Sequence, residues 1–167
     1  MVPPVVTAPP PPEAQPRAQA DFRMRLLEQL NGVLATRDTP RGLVVIIADS
    51  SFNGMELRDS AAGQVARIAA VLAAQPHLRV DLEGYTDNAS TSATSSSRTQ
   101  AVQRILLAQG LSGDRVSAQG RGDARPLASN SSPAGREQNR RVEIVISGEP
   151  IGKLPYWDRT YSLLPSR

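Results

Sequence analysis

The sequence predicts a mixed α/β (α+β) domain in which helices cover a mixed four-stranded sheet. Three observations indicate this fold: a β-branched run without polar alternation, two stretches with apolar residues three and four apart, and two strand-like segments near the end. The predicted order of elements is β-α-β-α-β-β. With 167 residues and 40% hydrophobic content, the chain can bury one ordinary core, so we expect one domain with flanking segments.

The first 40 residues divide into two parts. Residues 1–17 are rich in proline, which holds the backbone extended, so they predict a linker; a ligand for an SH3-type domain is the functional alternative. Residues 18–40 predict an amphipathic helix that ends before Pro40. Its apolar stripe predicts either packing on the domain or a homodimer through this helix.

Residues 41–148 carry the predicted domain. Strands are predicted at residues 42–49, 78–84, 115–119 and 141–147, and helices from about residue 60 to 76 and from 96 to 109. Gly110 is placed to end the second helix in the left-handed conformation. Residues 149–167 are predicted to be a tail, whose Tyr156, Trp157 and Tyr161 either pack back on the sheet or form a partner or glycan surface.

The composition narrows the function. The chain has no cysteine and one histidine, so a thiolate nucleophile and a multi-histidine metal site are excluded. The serines near residue 96 have no neighbouring base in the sequence, and we expect no enzyme, no metal and no cofactor. The sequence contains no run of 18 apolar residues, so we expect no membrane-spanning helix.

One segment has fixed offsets that no core pattern requires. Residues 120–143 read GRGDARPLASNSSPAGREQNRRVE. This run resembles the closing segment of the OmpA-like C-terminal domain, which Pal lipoproteins and MotB-type stators share. RGLVV, Asp49, Phe52 and LEGYTD upstream are similar as well, so the resemblance covers about residues 41–148. The motif residues expected to hold the scaffold are Gly120, Gly122, Asn130, Gly135, Arg136, Asn139, Arg140 and Arg141. The arginines among them also suggest a nucleic-acid surface, but in this family they belong to the scaffold, and we expect no nucleic acid.

The resemblance implies a ligand and a site. The ligand would be the diaminopimelate of a peptidoglycan stem peptide, whose free end carries an ammonium and a carboxylate on one carbon. The family's acid carries over to Asp87 in GYTDN, flanked by Thr86 and Asn88, and counting back from Gly110 places the family's arginine at Arg98. The resemblance thus implies non-covalent anchoring of an outer-membrane or envelope protein to the cell wall.

Two departures from the family pattern lie beside this site. The segment between Asp87 and Arg98 is shorter than the family's and lacks its glycine, and Asn53 stands where an aspartate is usual. These departures leave an alternative open, in which the same fold with an altered pocket serves as a protein–protein interaction module.

The resemblance also implies a location, the periplasmic face of the outer membrane. Residues 1–16 lack the basic start and apolar middle of a signal peptide. We therefore expect the export signal, and any membrane anchor, to lie outside this sequence.

Overall fold

The computed structural model describes residues 14–90 and 92–152. The predictions for the proline-rich residues 1–13 and for the aromatic tail residues 153–167 lie outside these described residues. None of the described helices is long and apolar enough to cross a membrane.

A five-stranded sheet organises the fold. The helices are α1 (Ala14–Asn31), α2 (Asp59–Ala73), α3 (Ser92–Ala108) and α4 (Pro133–Asn139). The strands are β1 (Thr36–Thr39), β2 (Gly42–Ala48), β3 (Phe52–Asn53), β4 (Glu56–Leu57), β5 (Arg79–Tyr85), β6 (Val116–Gly122) and β7 (Arg141–Ser147). The main sheet has the order β1-β2-β7-β5-β6, in which only the β5–β6 pair is parallel, and β3 and β4 form a separate small hairpin.

The helices cover one face of this sheet. Alternate residues of β2, β5 and β7, such as Val45, Leu82 and Ile144, are fully buried and pack in one core with the apolar stripes of the helices. Val65 and Leu72 of α2 and Leu106 of α3 fill that core as the periodicity predicts. The mixed α/β architecture with a helix layer is therefore confirmed.

The number of strands differs from the prediction. The sequence predicts four strands and a helix that continues to residue 40, but α1 begins at Ala14 and ends at Asn31, and Thr36–Thr39 form the additional edge strand β1. Thr36 and Thr39 pair with Val45 and Gly42, respectively, in a hairpin with β2. The segment TRDT has no apolar alternation, so periodicity gave no sign of this strand.

One further helix and one core residue were not predicted. Pro133–Asn139, inside the fixed-offset motif, form the short helix α4 directly before β7. Ile151, assigned to the tail from the sequence, is 1% exposed and belongs to the core. The packed domain therefore reaches at least three residues beyond the predicted limit at residue 148.

The apolar stripe of α1 packs on its own domain. Leu26 and Leu30 are buried in the core, and Phe22 and Leu27 lie against it. Of the two predicted roles for this stripe, covering the domain is the one the structure shows. A homodimer through α1 stays a prediction.

Candidate functional site

Four charged side chains from separate parts of the chain meet at one edge of the main sheet. β2 and β5 both run antiparallel to β7, so residues just after β2 and β5 lie beside the residue just before β7. These residues are Asp49, Asp87 and Arg140. Arg98 reaches the same edge from α3, which packs against β5, β6 and β7.

Asp87, the predicted acid of the site, is almost completely buried. Its Oδ1 accepts hydrogen bonds from the backbone N–H groups of Ala89 at 3.0 Å and Ser90 at 2.8 Å, and its Oδ2 accepts one from Arg140 Nη1 at 2.6 Å. Burial alone would raise the pKa of Asp87, but hydrogen bonds from Ser90, Arg140 and the backbone outweigh it and lower this pKa to about 2. The carboxylate is therefore charged at neutral pH, and both of its oxygens already have partners.

Arg98, the predicted base of the site, is held by three contacts. Its Nε donates to the carbonyl oxygen of Gly54 at 2.8 Å, and its Nη1 donates to Asp49 Oδ1, also at 2.8 Å. The guanidinium lies over the ring of Phe52, 4.6 Å from the ring centre. These bonds use two of the five N–H groups of the guanidinium, so the side chain is oriented with donors to spare.

The helix that carries Arg98 begins earlier than predicted. The sequence predicts a start near Ser96, which would place Arg98 in the first turn, but α3 begins at Ser92 and Arg98 lies in its second turn. The free N–H groups at the start of a helix act within its first turn. They therefore do not lie beside Arg98, where the predicted start would have placed them. The Ser/Thr-rich composition of this stretch concealed the true start, because serine and threonine are common at caps and in loops alike.

Arg140 joins the two predicted site residues. Besides Asp87, its guanidinium bonds Asp49 Oδ2 through Nη2 at 3.1 Å. Asp49 therefore bridges Arg140 and Arg98, one carboxylate oxygen to each. Burial alone would raise the pKa of Asp49, but the bonds from Arg140 and Arg98 lower it, and the bond to Asp49 raises the pKa of Arg140 despite partial burial.

The result is a continuous chain of charges rather than one acid facing one base. Among the described ion pairs, Asp87 and Arg98 are not paired with each other but are connected through Arg140 and Asp49. From the sequence, Arg140 was predicted to hold the scaffold and Asp49 had no predicted role. One signal could have found both, because Asp49 follows a strand end just as Asp87 does, and Arg140 precedes the strand between them.

The two residues that flank Asp87 differ in exposure. Thr86 is 4% exposed, its N–H donates to the carbonyl oxygen of Gly122 at 2.8 Å, and its buried Oγ1 has no hydrogen-bond partner among the described residues. Asn88 is exposed. Thr86 thus leaves a buried hydroxyl unsatisfied next to Asp87, which is costly unless a further group bonds it.

The glycines of the motif allow close packing beside the site. Gly135 in α4 lies against the backbone of Ser129, where a Cβ atom would come within 1.9 Å of the carbonyl oxygen. Gly120 lies against Ser96 of α3, and Gly122 has a φ of +60°, which favours glycine.

The polar residues of the motif tie down the loop before β7. Asn139 Oδ1 accepts from the N–H groups of Leu127 and Ala128, and its Nδ2 donates to Asn130 Oδ1. Arg136 Nη1 donates to the carbonyl oxygen of Asn130 at 2.8 Å. These bonds are internal to the domain, in agreement with a scaffold role.

Arg141 is also turned inward, away from the charge chain. It is 2% exposed, lies over the ring of Tyr85 at 4.2 Å, and bonds Glu143 Oε1 at 3.2 Å and the carbonyl oxygen of Arg125 at 2.9 Å. Of the two adjacent arginines, Arg140 therefore faces the candidate site and Arg141 supports the fold.

The charged side chains of the candidate site pair with one another. Among the described residues, no group of three or more histidine, cysteine, aspartate or glutamate side chains is placed to hold a metal ion. Two carboxylates and two guanidinium groups balance one another, so a ligand that brings one positive and one negative charge leaves the site neutral. Such a ligand is a zwitterion.

Comparison with known proteins identifies relatives of this chain. The sequence profile of the OmpA family matches residues 51–140, which include Asp87, Arg98 and Arg140. The peptidoglycan-binding protein ArfA of Mycobacterium tuberculosis is 42% identical over 85 residues, which are 48% of this chain and 26% of ArfA. The chain therefore spans about a quarter of the length of this relative.

Solved structures share the fold over most of the chain. The cell wall anchor of the T6SS from Pseudomonas aeruginosa is 30% identical, with a TM-score of 0.63, covering 80% of this chain and 99% of the anchor. The peptidoglycan-associated lipoprotein of Burkholderia pseudomallei is 25% identical, with a TM-score of 0.55, covering 61% of this chain and 89% of the lipoprotein.

Proposed function

This chain belongs to the OmpA family, and on that premise we propose that its domain binds peptidoglycan without covalent chemistry and anchors an envelope protein to the cell wall. Two of the relatives described above carry peptidoglycan in their names, and a third is a cell wall anchor. The observation that carries the proposal is that Asp87 and Arg98, predicted as a ligand pair from the sequence, lie at one edge of the sheet in a single charge chain.

The ligand we propose is the diaminopimelate end of a stem peptide. Its carboxylate would bind the guanidinium of Arg98, and its ammonium would bind Asp87. Thr86 Oγ1 supports this position, because a ligand group next to Asp87 would satisfy the buried hydroxyl. Asn88 is exposed beside them and would form the rim.

The proposed location is the periplasmic side of the envelope, where peptidoglycan is accessible. Attachment to a membrane would come from an anchor outside residues 14–152. The activity we propose for the site is binding rather than catalysis.

One observation favours the alternative, an interaction module with an altered pocket. Asp87 and Arg98 are both bonded internally, so neither is a free charge waiting for a ligand. If these bonds do not open, the same edge would instead present a neutral, hydrogen-bonded surface to a protein partner.

Co-sedimentation with purified diaminopimelate-type peptidoglycan distinguishes the two. We expect the wild type to sediment with the polymer, and Asp87→Asn and Arg98→Gln each to weaken binding about tenfold or more, since each removes one charge-assisted hydrogen bond to the ligand. Asn is used because it keeps an acceptor for the turn at Ala89 and Ser90.

Two matched controls remove the same charges elsewhere. Arg104 is exposed on the same helix as Arg98, and Asp114 is exposed before β6, at the opposite edge of the sheet. Arg104→Gln and Asp114→Asn should sediment as the wild type does. Equal sedimentation of the wild type and the two site variants would contradict the diaminopimelate site, and absence of sedimentation by the folded wild type would favour the interaction module.

A further inference from the structure

The place that a ligand carboxylate would take on Arg98 is held by a carboxylate of the protein itself. Asp49 Oδ1 accepts from Arg98 Nη1 at 2.8 Å. We propose that Asp49 is an internal competitor of the ligand, which keeps Arg98 neutralised until a carboxylate displaces it. This inference rests on the proposed function and concerns the regulation of the same site.

The contacts of Arg98 show why Asp49 is not needed to position it. The guanidinium is oriented by the carbonyl oxygen of Gly54 and by the ring of Phe52, and neither contact involves Asp49. Removing the Asp49 charge should therefore leave Arg98 in place and release one of its donors.

Asp49 also has a second partner to turn to. Its Oδ2 already accepts from Arg140 Nη2 at 3.1 Å, so the carboxylate can give up Arg98 without becoming an unpaired charge. Its side chain is 21% exposed, which leaves room for water to replace the lost bond. Displacement of Asp49 by a ligand carboxylate then breaks only the Arg98–Asp49 ion pair, which is partly exposed.

Arg140 completes the exchange on the other side of the site. It holds Asp87 at 2.6 Å and Asp49 at 3.1 Å, and once Asp49 has left Arg98 the pair with Arg140 can strengthen. That would loosen Arg140 from Asp87 and make room for the ligand ammonium. A ligand with both charges on one carbon can displace Asp49 from Arg98 with its carboxylate and bind Asp87 with its ammonium. A ligand with charges of one sign can do only one of the two.

The test is a titration into the purified chain of three probes that share a five-carbon chain between their terminal groups. Diaminopimelate carries both charges, pimelate carries only carboxylates, and 1,5-diaminopentane carries only ammonium groups. For Asp49→Asn we expect about two- to fivefold tighter binding of diaminopimelate and pimelate than in the wild type, as when a partly exposed ion pair no longer opposes binding. Binding of 1,5-diaminopentane should not tighten.

The controls separate this inference from the proposed function. Asp114→Asn removes one equal charge at the far edge and should leave all three affinities unchanged, and Asp49→Ala repeats the test without an acceptor at position 49. A readout without any substitution is the carboxyl ¹³C resonance of Asp49, which should shift when diaminopimelate is added to the wild type.

Each outcome decides one question. If Asp49→Asn binds diaminopimelate no more tightly than the wild type, and the Asp49 resonance does not move, Asp49 supports the site and the inference is wrong, even where the wild type sediments with peptidoglycan. If the wild type fails to sediment while Asp49→Asn binds the probe, the competitor stands and the proposed function of the native chain falls.

Discussion

At the scale of single residues, Asp87 serves both the fold and the proposed ligand. Its Oδ1 closes the turn at Ala89 and Ser90, while its Oδ2 holds Arg140. A loss of binding after substitution of Asp87 is therefore interpretable only when its effect on stability is measured in parallel.

The pH dependence of stability measures how much the charged carboxylate of Asp87 contributes to the free energy of unfolding. Its pKa is lowered from 3.8 to about 2 in the folded chain, so the stabilisation is fully present above pH 4 and is lost as the pH falls through 2. We expect Asp87→Asn to be less stable than the wild type by about 2 kcal/mol at pH 7. Urea unfolding at pH 7, 4 and 2 should show the two proteins converging at the acid end. A gap that is the same at all three pH values would mean that the carboxylate charge is not what stabilises the turn.

The sequence revealed some residues of the site but not how they connect. Asp87 and Arg98 could be assigned because each belongs to a family pattern with local spacing. Asp49 and Arg140 lie 38 and 53 residues from Asp87 along the chain, and only the pairing of β2 and β5 with β7 brings the three together. Local periodicity predicts strands but not which strands are neighbours, so the charge chain needed the sheet order.

At the scale of elements, the same limit explains what was missed in the fold. The apolar spacing predicted α2, α3 and the inner strands, because their side chains fill the core. β1 is short and polar, and hydrogen bonds to β2 hold it in place. Its position depends on a buried arginine that no periodicity indicates.

That arginine, Arg23, joins α1 to both ends of the domain. It is fully buried, and its guanidinium bonds Asp38 and the carbonyl oxygen of Thr39, both in β1, at 2.8 Å, as well as the carbonyl oxygens of Ile151 and Gly152 at 3.1 Å. The side chain of Asp38 is 5% exposed. The ion pair is therefore shielded from water, and removal of one partner would leave the other as an unpaired buried charge.

We expect Arg23→Met to destabilise the domain by about 3–5 kcal/mol, as when a buried ion pair loses one member. The measurement is the free energy of unfolding in urea. Arg25→Met, at an exposed position two residues further along α1, should change it by less than about 0.5 kcal/mol. Equal effects of the two substitutions would show that α1 is held by its apolar stripe alone.

At the scale of the whole molecule, the candidate site and the contacts of the first half of α1 lie at opposite edges of the sheet. Asp49 follows the end of β2. At the other edge, Arg23 of α1 contacts Thr39, before the start of β2, and Gln19 of α1 contacts Glu149, beyond the end of β7. Since β2 and β7 are antiparallel, these contacts mark the edge away from the charge chain. Seven strand residues separate the two edges by roughly 20 Å. Gln19, near the start of α1, therefore lies at the edge away from the charge chain.

Under the proposed function, this arrangement predicts how several linked domains would hold a repeating polymer. A single contact with a small zwitterion is weak, but two domains joined at their N-termini can bind the same wall at two sites. Fusing a parallel dimeric coiled coil before residue 1 should lower the concentration for half-maximal binding to intact peptidoglycan by about tenfold to a hundredfold, while leaving the affinity for free diaminopimelate per site unchanged. The same dimer carrying Arg98→Gln is the control and should lose most of the retention. A dimer that binds intact wall no better than the monomer would place the site where two domains cannot reach the polymer together, and would count against the anchoring geometry itself.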